Sequence, residues 1–114
     1  MKLIHHKGLT PERWFKFTLC EQLANIGADI DRTIRWKARG DLKMSSDAFE
    51  RALELLDLTR LDPKNRGGKL KELCRVREAL IDHFMYDNEY QTTDEMWSQY
   101  FLDFNFAAAI AKGK

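Results

Sequence analysis

Pro11–Ala38 reads PERWFKFTLCEQLANIGADIDRTIRWKA, and this stretch decides the fold class. Phe15, Leu19, Leu23, Ile26, Ile30 and Ile34 recur in it at steps of four, four, three, four and four. That spacing lays one apolar stripe along an α-helix. Thr10-Pro11-Glu12 supplies the start: a capping hydroxyl, a proline at the first helical position, and an acid facing the helix dipole. Gly40 supplies the stop. The pattern predicts one continuous helix over 11–38, about 42 Å long at 1.5 Å per residue. Beside the stripe, Cys20, Ala24 and Gly27 form a row of small residues where a second helix can approach closely.

The same period continues downstream. A second helix is expected over 47–61, opened by Asp47 with Glu50 three residues on and closed by Asp62-Pro63; it would bury Phe49, Ala52, Leu53, Leu55 and Leu56. A basic loop, Lys64 to Lys69, leads to a third helix over 68–87 with Leu70, Leu73, Cys74, Leu80, Ile81 and Phe84 on its apolar face. Thr92 and Glu95 have capping-box spacing and open a fourth helix over 93–111, which carries Trp97, Tyr100, Phe101, Phe104, Ala108 and Ala111. Composition agrees: fourteen Leu and ten Ala stand against a single Val, which suits helices and not strands. Short connections make sequential helices antiparallel, so the expected fold is all-α, an antiparallel up-down-up-down four-helix bundle with an overlong first helix. The 114 residues fit one domain. The first helix is longer than its neighbours, so it must bend near Gly27 or project. Its ends carry Trp14, Phe15 and Phe17 on one side and Trp36 on the other. Projecting aromatics call for a partner, and these four are the expected contacts of a homo-oligomer, most simply a dimer.

Other classes fall away on composition. Cys20 and Cys74 form no CxxC pair or Cys/His cluster, so no metal site and no cofactor is expected, and both read as small buried thiols of a reducing compartment. Met1–Lys7 lacks the apolar core of a signal peptide, and no run approaches the ~20 apolar residues of a membrane span. A cytoplasmic protein with no membrane contact is expected.

Net charge is only +1, but it is unevenly spread. Residues 32–77 carry thirteen basic against seven acidic groups, and residues 78–114 two against seven. In an up-down bundle the first connection, with Arg35, Lys37, Arg39 and Lys43, meets the acidic third connection, with Asp87, Glu89, Asp94 and Glu95, and the two neutralise each other. The other end gathers the second connection with both chain termini. Arg60, Lys64, Arg66, Lys69 and Lys71 then form a basic pole, joined by Lys2, Lys7, Lys112 and Lys114, with a field that attracts phosphates of a nucleic acid.

Two enzymatic alternatives rest on spacing. Arg77 followed by His83 six positions on resembles the Arg-x(4–6)-His motif of HEPN ribonucleases, helical proteins in which these residues would bind phosphate and activate a ribose hydroxyl; Glu78 departs from that pattern and opposes a phosphate. Glu50, Glu54 and Asp57 on one helix and Glu78 and Asp82 on the next resemble the acidic pairs of helical magnesium-dependent nucleotide pyrophosphatases, with the second pair spaced by four where the family wants three.

Glu21–Asp29, Arg51–Thr59 and Leu70–Glu78 are together similar to a group of short prokaryotic helical proteins with no assigned activity. The architecture alone is similar to that of the four-helix proteins of ribosomal intervening sequences. Neither resemblance implies an activity. The reading that follows is a non-enzymatic, self-associating helical interaction module that contacts nucleic acid through its basic pole.

Overall fold

The computed structural model describes residues 3–112, and among these it is all-helical. The helices are α1 (Pro11–Trp14), α2 (Leu19–Ala38), α3 (Leu42–Leu61), α4 (Gly68–Met85) and α5 (Asp94–Lys112), with a 3-10 turn at Pro63–Asn65. The molecule measures 38 × 29 × 27 Å.

The continuous helix expected over 11–38 is broken in two. The chain leaves the helix after Trp14 and re-enters at Leu19. Two local devices restart it: Thr18 Oγ1 accepts the Glu21 N–H at 3.1 Å, and Glu21 Oε1 accepts the Thr18 N–H at 2.9 Å, a complete capping box. One long-range device enforces the break. Trp14 turns inward, 3% exposed, and its indole N–H donates to Thr59 Oγ1 near the end of α3. A straight helix would have carried this ring into solvent. The 20 residues of α2 span about 30 Å, matching α3, so no overlong element remains.

Gly27 has a different use. A Cβ placed there would lie 2.5 Å from Cβ of Phe101, so the missing side chain is what lets α5 seat on α2. The small-residue row thus marks the crossing of α2 and α5. Paired contacts give the helix directions. Lys37 meets Asp94, Asp31 meets Ser98 and Gly27 meets Phe101, so α5 runs antiparallel to α2. Ser45 donates to the Thr33 carbonyl and Asn65 to Gln22, so α3 returns antiparallel along α2. Arg77 on Asp57 makes α4 antiparallel to α3. α2 lies between α3 and α5, and Leu23, Ile26 and Ile30 of its stripe meet Leu56, Leu58, Leu73, Leu80 and Phe101 in one core.

Other boundaries moved for identifiable reasons. α3 starts at Leu42, not near 47, because Asp41 caps it by accepting the Met44 N–H. Asp47 is then an interior residue paired with Lys43. α4 stops at Met85 because Asp82 turns back to accept the Glu89 and Tyr90 N–H groups. Thr93, not Thr92, caps α5 by accepting the Met96 N–H, while Thr92 Oγ1 receives the Trp97 indole N–H.

Gly27→Ala tests the crossing. In an exposed helix this change gains about 1 kcal/mol. Here the overlap with Phe101 should outweigh that gain and cost about 1–3 kcal/mol, read as a lower thermal midpoint. A raised midpoint would show that α5 does not seat at Gly27.

Candidate functional site

The expected site residues divide into those that the fold consumes and those that it leaves exposed. Arg77 belongs to the first group. Its Nε donates to Asp57 at 2.7 Å, and Arg60 shares the same carboxylate oxygen at 3.0 Å. His83 is also committed: its side chain is 6% exposed and Nε2 lies 2.7 Å from Asp94 Oδ1. Lys37 approaches that oxygen at 3.3 Å. Burial by itself would raise the Asp94 pKa, but the His83 hydrogen bond and the Lys37 charge outweigh it and hold the carboxyl below its ordinary value. A ribonuclease of the HEPN kind needs the histidine open to substrate beside the arginine. Here Arg77 is paired with Asp57 and the buried His83 is hydrogen-bonded to Asp94 on a separate cluster, which clamps the ends of α2, α4 and the start of α5.

The acidic residues are similarly occupied. Glu50 pairs with His5, Asp57 with two arginines, Glu78 with the Tyr90 hydroxyl, and Asp82 caps the turn after α4. Glu54 has a role that its spacing did not suggest. It accepts the backbone N–H groups of Ile4 at 2.9 Å, His5 at 3.1 Å and His6 at 2.9 Å, and lies 3.0 Å from His6 Nδ1. His6 Nε2 faces buried Asp29 at 3.9 Å, and Asp29 also holds Arg32 and Arg51. The segment before α1 is thereby strapped across α2 and α3, with Leu3 inserted into the core. Burial alone would raise the Glu54 pKa, but the His5, Ile4 and His6 hydrogen bonds reverse this and lower it. Among the described residues no group of three or more His, Cys, Asp or Glu side chains is placed to hold a metal ion.

At the basic pole, five expected residues separate by role. Arg60 lies on Asp57 and against Cys74. Lys64 donates to Asp62 and to the Phe15 carbonyl, tying the turn after α3 to the segment between α1 and α2. Arg66, Lys69 and Lys71 are exposed and make no ion pair among the described residues. At the other pole Lys37 meets Asp94. Lys2 and Lys114 lie outside the described residues.

Of the four aromatics expected at an oligomer contact, Trp14 is removed by its burial and its bond to Thr59. Phe15 and Trp36 are half-buried, the latter beneath the Arg39 guanidinium, and Phe17 is 38% exposed. An exposed apolar row lies elsewhere. Leu102, Phe106 and Ile110 of α5 are 50%, 68% and 54% exposed. They recur at steps of four on the face opposite Trp97, Phe101 and Ala108, which pack inward. This row was visible as spacing, but one apolar face had already been assigned to the helix.

No family model matches this chain, and comparison with curated proteins and with solved structures found no match. No helix among the described residues is long and apolar enough to cross a membrane.

The strap makes a defined prediction. Glu54 has a folded pKa below its unfolded value, so its contribution is present above about pH 4.3 and is lost as pH falls through the folded value. Glu54→Gln should bring that loss to neutral pH. Amide exchange at Ile4, His5 and His6 should rise sharply, with a stability decrease of about 2 kcal/mol for losing a carboxylate hydrogen-bonded to several donors. Unchanged protection at those three amides would refute the strap.

Proposed function

We propose that this protein is a non-enzymatic interaction module whose four long helices form an antiparallel up-down-up-down bundle and which self-associates, most simply as a cytoplasmic dimer, through α5. The observation that carries this is the row Leu102, Phe106 and Ile110, half or more exposed, on a helix whose opposite face is already buried. α5 thus carries apolar side chains on two opposite faces, and one chain covers only one of them. Phe17 lies on the neighbouring groove of about 370 Å³ between α2 and α5, lined by Ala24, Ala28, Ala108 and Ala109 together with the polar Glu21, Asn25 and Asn105. The absence of an enzyme is supported by the commitment of Arg77, His83 and the acidic residues to structural contacts. Static light scattering at micromolar concentration should give twice the 13.4 kDa chain mass. A clean monomer across the accessible concentration range would refute self-association.

Contact with nucleic acid at the basic pole is the accompanying proposal, favoured by the exposed Arg66, Lys69 and Lys71. The binding would be electrostatic and blind to base sequence, with a log-log salt slope of about −0.9 per phosphate neutralised on duplex DNA. Reversing Arg66, Lys69 and Lys71 to Glu should abolish retention at low salt and leave the melting midpoint nearly unchanged. Lys64 is unsuited to that test because it holds Asp62 and the Phe15 carbonyl. Reversal of Arg35, Lys37 and Arg39 should weaken binding less. Absence of any retention by the parent protein at low salt would leave the pole as a solvated end.

A further inference from the structure

Resting on the reading of α5 as a self-association surface, we infer the arrangement of the two copies: α5 packs antiparallel on α5 of a second copy, with the two-fold axis passing at Phe106. From Asp94 to Ile110 the helix has no Lys or Arg, and its charged residues are Asp94, Glu95 and Asp103. A membrane surface is a poor occupant, because interfacial helices border their apolar face with basic side chains that meet anionic headgroups. The same acids disfavour a polyanion. A second copy satisfies the face in one orientation better than in any other.

In an antiparallel pair centred on Phe106, Phe106 faces its own counterpart and Leu102 faces Ile110 in both directions. Asp103 then lies opposite Ala109, so no carboxylate meets another. A parallel pair would stack Asp103 on Asp103 and Glu95 on Glu95, a like-charge apposition that an interface excludes. Moving the antiparallel axis to Leu102 would place Ile110 against Asp94 and Phe106 against Ser98, losing two of the three apolar pairings. The axis at Phe106 is the register that buries all three.

Area sets how far the contact must extend. Leu102, Phe106 and Ile110 expose on the order of 100 Å² each, given the 150–250 Å² that an aromatic side chain can bury. A stable interface needs about 800 Å² per partner. The helix pair therefore spreads sideways onto the groove between α2 and α5, where Phe17 stands beside Ala24, Ala28 and Ala109.

Cysteine pairing on the full chain tests the orientation, read by mass-mapped disulfides after mild oxidation. Phe106→Cys should cross-link to itself. Leu102→Cys mixed with Ile110→Cys should cross-link several-fold more than either variant alone, and this pair keeps Phe106 in place. The parent protein, with half-buried Cys20 and Cys74, is the background. If light scattering shows a dimer but Leu102→Cys links to itself as readily as to Ile110→Cys, the pair is parallel and the inference falls. If a dimer forms and none of the three positions links, the second copy sits on another face and the inference falls while self-association stands. A monomer in light scattering overturns both.

Discussion

A buried polar clasp at one end of the molecule fixes most of what surrounds it. Gln22, Thr59 and Asn65 have no exposed surface and Asp62 only 3%. Gln22 donates to Asp62 and to the Trp14 carbonyl, Asn65 to Gln22 and to the Thr59 carbonyl, and Trp14 to the Thr59 hydroxyl. Buried polar groups are costly unless paired, and this arrangement gives each of these side chains a partner, with only Asn65 Oδ1 left without one. That arrangement requires the chain to break after Trp14, the start of α2 to lie against the end of α3, and the Pro63–Asn65 turn to close over both. Lys64 seals it from outside on Asp62 and Phe15. Burial alone would raise the Asp62 pKa, but Lys64 and Gln22 outweigh it and keep the carboxyl low and charged.

With its start fixed, α2 has a defined length and two usable sides. One side carries the stripe that meets α3. The other presents Gly27, and the approach of Phe101 there commits one face of α5 inward. The remaining α5 face is left apolar by residue choice, since Leu102, Phe106 and Ile110 occupy positions that polar side chains would fill at no structural cost. The stored consequence of a glycine in α2 is thus an unpartnered row on α5.

Helix class and most of the core were legible because period depends on neighbours in sequence. Leu23, Ile26, Ile30, Leu56, Leu73, Leu80 and Phe101 were all assigned inward by spacing, and all are buried. The break in the first helix was not. Thr18 and Glu21 had capping-box spacing, but the apolar stripe runs through them at the same step, and the deciding contact lies 45 residues away at Thr59. Asp47–Glu50 and Thr92–Glu95 show the converse error, spacing that Asp41 and Thr93 override by capping six residues earlier and one residue later, respectively. The strap on Glu54 joins positions some 50 residues apart and left no periodic trace. Nor did the Arg77–Asp57 and His83–Asp94 pairs, so residues spaced like a catalytic motif gave no sign that they were occupied.

Occupation is the criterion that separates site from scaffold here. A catalytic or ligand-binding group must have capacity left after the fold has used it, in free hydrogen-bond positions or uncompensated charge. Asp29 holds Arg32 and Arg51 on Oδ1, Glu54 spends both oxygens on three backbone donors, and Asp94 holds His83 and Lys37 on Oδ1. Tyr100, whose burial and proximity to Glu72 push its pKa up to about 12, stays neutral and acts as packing surface between α4 and α5. Among the described residues of the candidate sites, capacity remains cationic at Arg66, Lys69 and Lys71 and apolar at Leu102, Phe106 and Ile110. Both can hold another molecule, one through charge and the other through excluded water, and this is the physical basis for reading the protein as a binding module.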